Sequence, residues 1–127
     1  MLTQNLEELE KRLGYSFHDG KLLRHAVTHS SFAGDAVLEM ISSEHLYRKN
    51  AQMPEGELTK LRAALVCEQA LAQCAREMGL GRFLLLGKGE EVTGGRERDS
   101  ILSDAFEAVI GAVYLDGGFT SAKEFVE

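Results

Sequence analysis

The run Arg98-Asp-Ser-Ile-Leu-Ser-Asp-Ala-Phe-Glu-Ala-Val-Ile-Gly-Ala-Val-Tyr-Leu-Asp116, closed by Gly117-Gly118, constrains the chain more than any other stretch. From Ile101 to Leu115 it is rich in Ala, Val, Ile and Leu and reads as a long, mostly buried helix. Short of Tyr114, its only ionisable side chains are Asp104 and Glu107. Three residues apart, they project from one face of a helix, one turn removed from each other. Two carboxylates on a mostly buried helix repel one another and lose hydration, so they call for a compensating cation. Mg²⁺ takes oxygen ligands from one or two carboxylates together with water and substrate phosphates, and this pair can supply them. A plainer reading stands beside that one: Ser103, Asp104, Glu107, Gly111 and Tyr114 trace a narrow polar stripe, and such stripes commonly face water.

At 127 residues, 44% of them apolar and 27% charged, the chain has the make-up of one globular domain with a core that needs no staples. No apolar run approaches the roughly 20 residues of a membrane helix, and the N-terminus lacks the basic-then-apolar pattern of a signal peptide. A cytoplasmic protein without a membrane partner is expected. The net charge of −6 argues against nucleic-acid binding through bulk electrostatics, though not against an enzyme that meets phosphate through metal. Cys67 and Cys74 lie one heptad apart without metal-ligand spacing and are expected to be buried, reduced thiols.

Leu2, Leu6, Leu9 and Leu13 recur at helical spacing, and Gly14 ends that helix. After the short apolar turn Tyr15-Ser-Phe17, Asp19 is placed to N-cap a second helix carrying Leu22, Leu23, Ala26 and Val27. His25 and His29 are four apart, but without a third ligand they read as ordinary polar histidines. A third helix is expected over 34–49, with Val37, Leu38, Met40, Ile41 and Leu46 on its apolar face. Asp35 stands at its start, where free N–H groups and the helix dipole favour a carboxylate. Pro54 and Glu55 open a further helix, whose periodicity runs on through Leu58, Leu61, Leu65, Leu71 and Ala75 to Met78 and Gly79. Lys60 and Arg62 are its basic surface residues, suited to a phosphate backbone or simply to water. The Gly-rich stretch 87–95 has the wrong spacing for a phosphate-binding loop, and a last helix begins at Thr120. With no convincing strand or repeat, the expected fold is an all-α bundle of six or seven helices.

Taken together these segments resemble the endonuclease domain of bacterial ribonuclease III. The blocks that carry the resemblance are Leu-Gly-Tyr-Ser-Phe (13–17), Ala-Val-Thr-His-Ser (26–30) and Gly-Asp-Ala-Val-Leu-Glu (34–39). Pro-Glu-Gly-Glu-Leu-Thr-Lys-Leu-Arg-Ala (54–63) and the long block from Gly94 to Gly118 complete the set, in the family's order and over nearly the whole chain. The resemblance implies a helical domain that forms a homodimer, binds double-stranded RNA across it, and hydrolyses phosphodiesters with Mg²⁺, for which Mn²⁺ can substitute. The products would be 5′-phosphate and 3′-hydroxyl ends, and the substrates ribosomal and other precursor RNAs. Carried over by motif, Asp35, Asp104 and Glu107 are metal ligands, with Asp35 and Glu107 the catalytic pair. Glu55 matches a further acid of the RNA valley, and Lys60, Arg62, Arg96 and Arg98 are candidate phosphate contacts.

The chain departs from the family pattern just before Gly34. Ser31-Phe32-Ala33 runs straight into Gly34-Asp35, where the family has a polar stretch and then Glu-x-Leu-Glu-Phe-Leu. The glutamate that ligates metal in the family is among the absent residues, and counting back without a gap puts Ser31 there, a poor Mg²⁺ ligand beside a carboxylate. No counterpart of the family's double-stranded-RNA-binding domain is expected within these 127 residues either. A second expectation therefore stands beside the nuclease: a catalytically impaired module that dimerises or binds structured RNA. A helical interaction domain with no RNA role is the third.

Overall fold

The computed structural model describes residues 2–27, 32–84, 94 and 97–126, and for residues 2–5, 25, 32, 33 and 35 it describes the backbone alone. Six α-helices and one short 3₁₀ turn make up the described residues: α1 (Leu2–Leu13), α2 (Gly20–Ala26), α3 (Phe32–Lys49), α4 (Glu55–Leu65), α5 (Glu68–Glu77), the turn Leu80–Phe83, and α6 (Asp99–Val126). The all-α expectation holds. Arg96 and the bulk of the stretch 87–95 lie outside the described residues, as do Thr28, His29, Ser30 and Ser31.

The first two helices follow their sequence signals. Gly14 sits at φ +74°, the left-handed conformation that ends a helix without a Cβ penalty, and its N–H donates to the Glu10 carbonyl at 3.0 Å. Asp19 caps α2, its Oδ1 accepting from the Lys21 N–H at 3.0 Å. Leu9, Leu13, Leu23, Ala26 and Val27 are buried as their spacing requires.

Helix α6 is the axis of the bundle, and α2, α3 and α5 all pack against it. Leu102, Phe106, Val109, Ile110 and Val113 supply its buried surface. At Gly118 the backbone leaves helical geometry (φ 86°, ψ −179°), a region open essentially to glycine alone, and the chain then turns helical again to Val126. The helix expected from Thr120 is therefore present as the second limb of α6, beyond this break.

Four expectations need correction. The single helix read through 54–78 is two, broken at Val66–Cys67, where Cys67 is extended (φ −73°, ψ 162°) and starts α5. The leucine period runs unbroken across the junction, but the limbs have different partners: α5 buries Leu71, Ala72 and Ala75 on the α6 side, while α4 leans on α3. Helix α3 begins at Phe32 rather than Gly34, which puts Asp35 inside its first turns instead of at a cap. On the same helix Val37, Leu38, Ile41 and Leu46 are buried as expected, but Met40 is 61% exposed. The thiols are free as expected but not buried: Cys67 is half-buried and Cys74 exposed. Among the described residues no helix is long and apolar enough to cross a membrane.

Candidate active site

The acids of α6 sit on the expected face. Asp104 is exposed and Glu107, one turn on, is half-buried. The polar stripe is not a water-facing one along its length, because Ser103 and Gly111 are buried. What covers its lower end is α3. A Cβ built on Gly34 would run into the Glu107 carbonyl and lie 3.2 Å from the Gly111 nitrogen. Those two groups are the acceptor and donor of one i→i+4 helical turn. The Gly34 backbone therefore rests on the α6 backbone itself, at a separation no side chain would permit. Asp35 follows immediately, so its backbone lies at the seam beside Glu107; its side chain lies outside the described residues.

The other expected residues are more dispersed. Glu55 occupies the first turn of α4 and is exposed, as is Lys60. Arg62 is committed to the fold: its Nη1 donates to the Ser43 hydroxyl of α3 at 2.7 Å, fastening α4 to α3. Arg98 is exposed one residue before α6 begins. Among the described residues no three His, Cys, Asp or Glu side chains cluster tightly enough to hold a metal; the Asp35 carboxylate, the third member of the expected set, is not among them.

A second polar centre lies at the far end of α6. Asp116 accepts from the Tyr15 hydroxyl at 2.7 Å and from the His18 and Asp19 N–H groups, each at 2.8 Å. Burial opposes ionisation of Asp116, but these donors outweigh it and hold the carboxyl below its ordinary range. Burial, and then the hydrogen bond and charge of Asp116, push the Tyr15 hydroxyl up to about 12. In sequence Tyr15 stands in a short apolar turn that gives no sign of this pair. The signal was the acid placed directly before Gly117-Gly118.

The sequence model of the family described as "Ribonuclease-III-like" matches residues 19–127. The chain belongs to the ribonuclease III family. The "Ribonuclease 3" of Oceanobacillus iheyensis is 51% identical over 139 residues, an alignment covering 96% of this chain and 61% of the relative. That of Enterococcus faecalis is 48% identical over 144 residues, covering 100% of this chain and 63% of the relative. The chain thus spans about three-fifths of the length of these ribonuclease III relatives. Since it has 127 residues, at least 17 of the 144 aligned positions hold residues of the Enterococcus protein with no counterpart here. A solved nuclease domain of ribonuclease III from Campylobacter jejuni superposes with a TM-score of 0.92 at 46% identity, covering 95% of this chain and 92% of that one. Dicer from Pichia stipitis matches at a TM-score of 0.69 and 28% identity, covering 88% and 53%. The all-helical ribonuclease III nuclease fold is thereby shared with both.

Proposed function

We propose that this chain is the nuclease part of a ribonuclease III that cuts double-stranded RNA to 5′-phosphate and 3′-hydroxyl ends, in the cytoplasm, during processing of ribosomal and other precursor RNAs. The observation that carries the reading is the seat of Gly34 on the Glu107–Gly111 turn, which brings the Asp35 backbone to the same seam as Glu107, with Asp104 one turn away. Asp35, Asp104 and Glu107 would hold Mg²⁺, or Mn²⁺ in its place, since all three offer the hard oxygen donors such ions take. When bound, the ion supplies positive charge to the phosphoryl oxygens and acidity to the attacking water. The chain's own contribution is orientation: a half-buried Glu107 is held by the α3–α6 packing, and Asp35 is delivered by a helix that cannot slide on its glycine. Glu55 is a further acid for the RNA valley. Lys60, Arg62, Arg96 and Arg98 remain the candidate phosphate contacts, Arg62 only if it leaves Ser43. Recognition of the duplex through shape, phosphates and 2′-hydroxyls suits a chain of net charge −6, which has no bulk attraction for RNA.

Homodimerisation is part of this reading. Helix α4 buries none of its residues within the chain. Leu61 and Leu65 on α4, with Met40 and Tyr47 on the adjoining α3, are exposed, leaving apolar surface for a second copy to cover. The C. jejuni nuclease domain is described as flexible in a region involved in dimer formation.

Cleavage of a long RNA duplex with Mg²⁺, comparing the parent chain with Glu107→Ala and Asp35→Ala, tests the function. Cutting by the parent and loss in both variants is expected. A duplex that is bound but left intact would point instead to an RNA-binding module, a result that the 17 unmatched positions make worth looking for. Variants that cut as well as the parent would remove the site assignment.

A further inference from the structure

The Tyr15–Asp116 centre lies away from the acids, yet it governs the part of the chain that clamps them together. Asp116 stands two residues before the Gly118 break, and Gly117 lies so close to the Tyr15 hydroxyl and the Ser121 side chain that it has no room for a Cβ. Ser121 Oγ, on the far side of the break, crowds the same spot over Gly117 as the Tyr15 hydroxyl. Tyr15 is therefore bonded to the first limb at Asp116 and shares the space over Gly117 with Ser121 of the second. Beyond Gly118 the second limb makes two contacts that lead back to the site. Lys123 Nζ meets Glu44 Oε1 of α3 at 2.7 Å, and the Phe125 ring lies 5.8 Å from that of Phe106, the residue next to Glu107. Ala122, directly before Lys123, is fully buried. The direction in which the chain leaves Gly118 thus sets whether the second limb reaches Glu44 of α3 and Phe106 beside Glu107.

We propose that Tyr15 is a positioning residue for the acidic site: by bonding Asp116 and packing its hydroxyl over Gly117 against Ser121, it fixes the second limb of α6, which in turn ties down α3, the helix that carries Asp35, at Glu44. Tyr15 touches none of the acids and acts only through this chain of contacts. Glycine at 118 gives the break no intrinsic direction, so an external tie has to supply one. The ring itself packs edge-on to Phe17 at 5.0 Å, a contact that survives loss of the hydroxyl.

Hydrogen–deuterium exchange on the full chain, comparing the parent with Tyr15→Phe and Lys123→Met, tests this. Tyr15→Phe should raise exchange over 119–126 and along α3, leaving α1 and α5 as in the parent. Lys123→Met should loosen α3 with a smaller change in the second limb. In cleavage assays Tyr15→Phe should shift the Mg²⁺ midpoint several-fold upward while the rate at saturating Mg²⁺ stays near that of the parent. That kinetic arm rests on the nuclease reading; the exchange arm does not. A parent chain that cuts nothing removes the nuclease reading and leaves exchange to decide this one. Faster exchange confined to 119–126, or spread evenly over the chain, overturns the positioning role.

Discussion

Gly34 and Glu107 meet backbone to backbone: the α-carbon of one rests on the carbonyl of the other, with the Gly111 amide completing the seat. Two helices that carry acids thereby meet at one point without any side chain between them.

Replacing that glycine separates two opposing effects. Inside a helix, Gly→Ala ordinarily stabilises by about 1 kcal/mol. Here the added methyl would overlap the Glu107 carbonyl, and overpacking of a rigid backbone costs about 1–3 kcal/mol. Gly34→Ala should therefore lower stability in urea unfolding and reduce RNA cleavage more than it reduces helix content. A variant more stable than the parent would show that the seat is looser than described.

Asp116 predicts the acid limb of stability. Its carboxyl titrates below its ordinary value near 3.8 in the folded chain, so its contribution is complete above that value and is lost as pH falls through the lower folded value. Asp116→Asn should be less stable than the parent at neutral pH and should lose less on acidification. Chemical unfolding followed at several acidic pH values checks this; parallel curves for the two proteins would contradict it.

Tyr15 works in the opposite direction. A hydroxyl pushed up to about 12 stabilises the folded chain below its ordinary value of 10, and that contribution disappears as pH rises from 10 towards 12. Ultraviolet titration should show a late tyrosine step near 12. The late step should vanish in Tyr15→Phe.

The exposed apolar surface of α3 and α4 predicts a split between stability and assembly. Leu65 is 53% exposed, so Leu65→Glu should change unfolding free energy by only about 0.5 kcal/mol, as surface substitutions usually do. Sedimentation should nevertheless show weaker self-association. A variant that dimerises like the parent would place the partner surface elsewhere.

How far the fold could be read from the chain varied by element. Helix α1 and the Asp19 cap were legible because their signals are local: a leucine period, a terminating glycine and a capping carboxylate. The break at Val66–Cys67 was not, since the leucine spacing passes through it and only the divergent partners of α4 and α5 impose it. That α4 buries nothing within the chain was not legible either, because amphipathic spacing says that a face is apolar without saying what covers it. Asp104 and Glu107 could be singled out by spacing, but their separation from an ordinary polar stripe needed α3 over Gly111. Gly34 itself reads in sequence as a weak point in a helix, and only the neighbouring backbone turns that weakness into a requirement.

The seat of α3 also settles its rotational phase. Successive residues of an α-helix are turned by about 100° from one another. Because the glycine that docks and the acid that follows are adjacent, no slip can seat a different residue and keep Asp35 where it is: Ala33 and Ala36 flank the pair, and either would bring a methyl group to the Glu107 carbonyl. Length changes ahead of Gly34 alter what reaches the site from that side, whereas a single residue inserted between Gly34 and Ile41 would swing the buried face of α3 a quarter-turn away from α6.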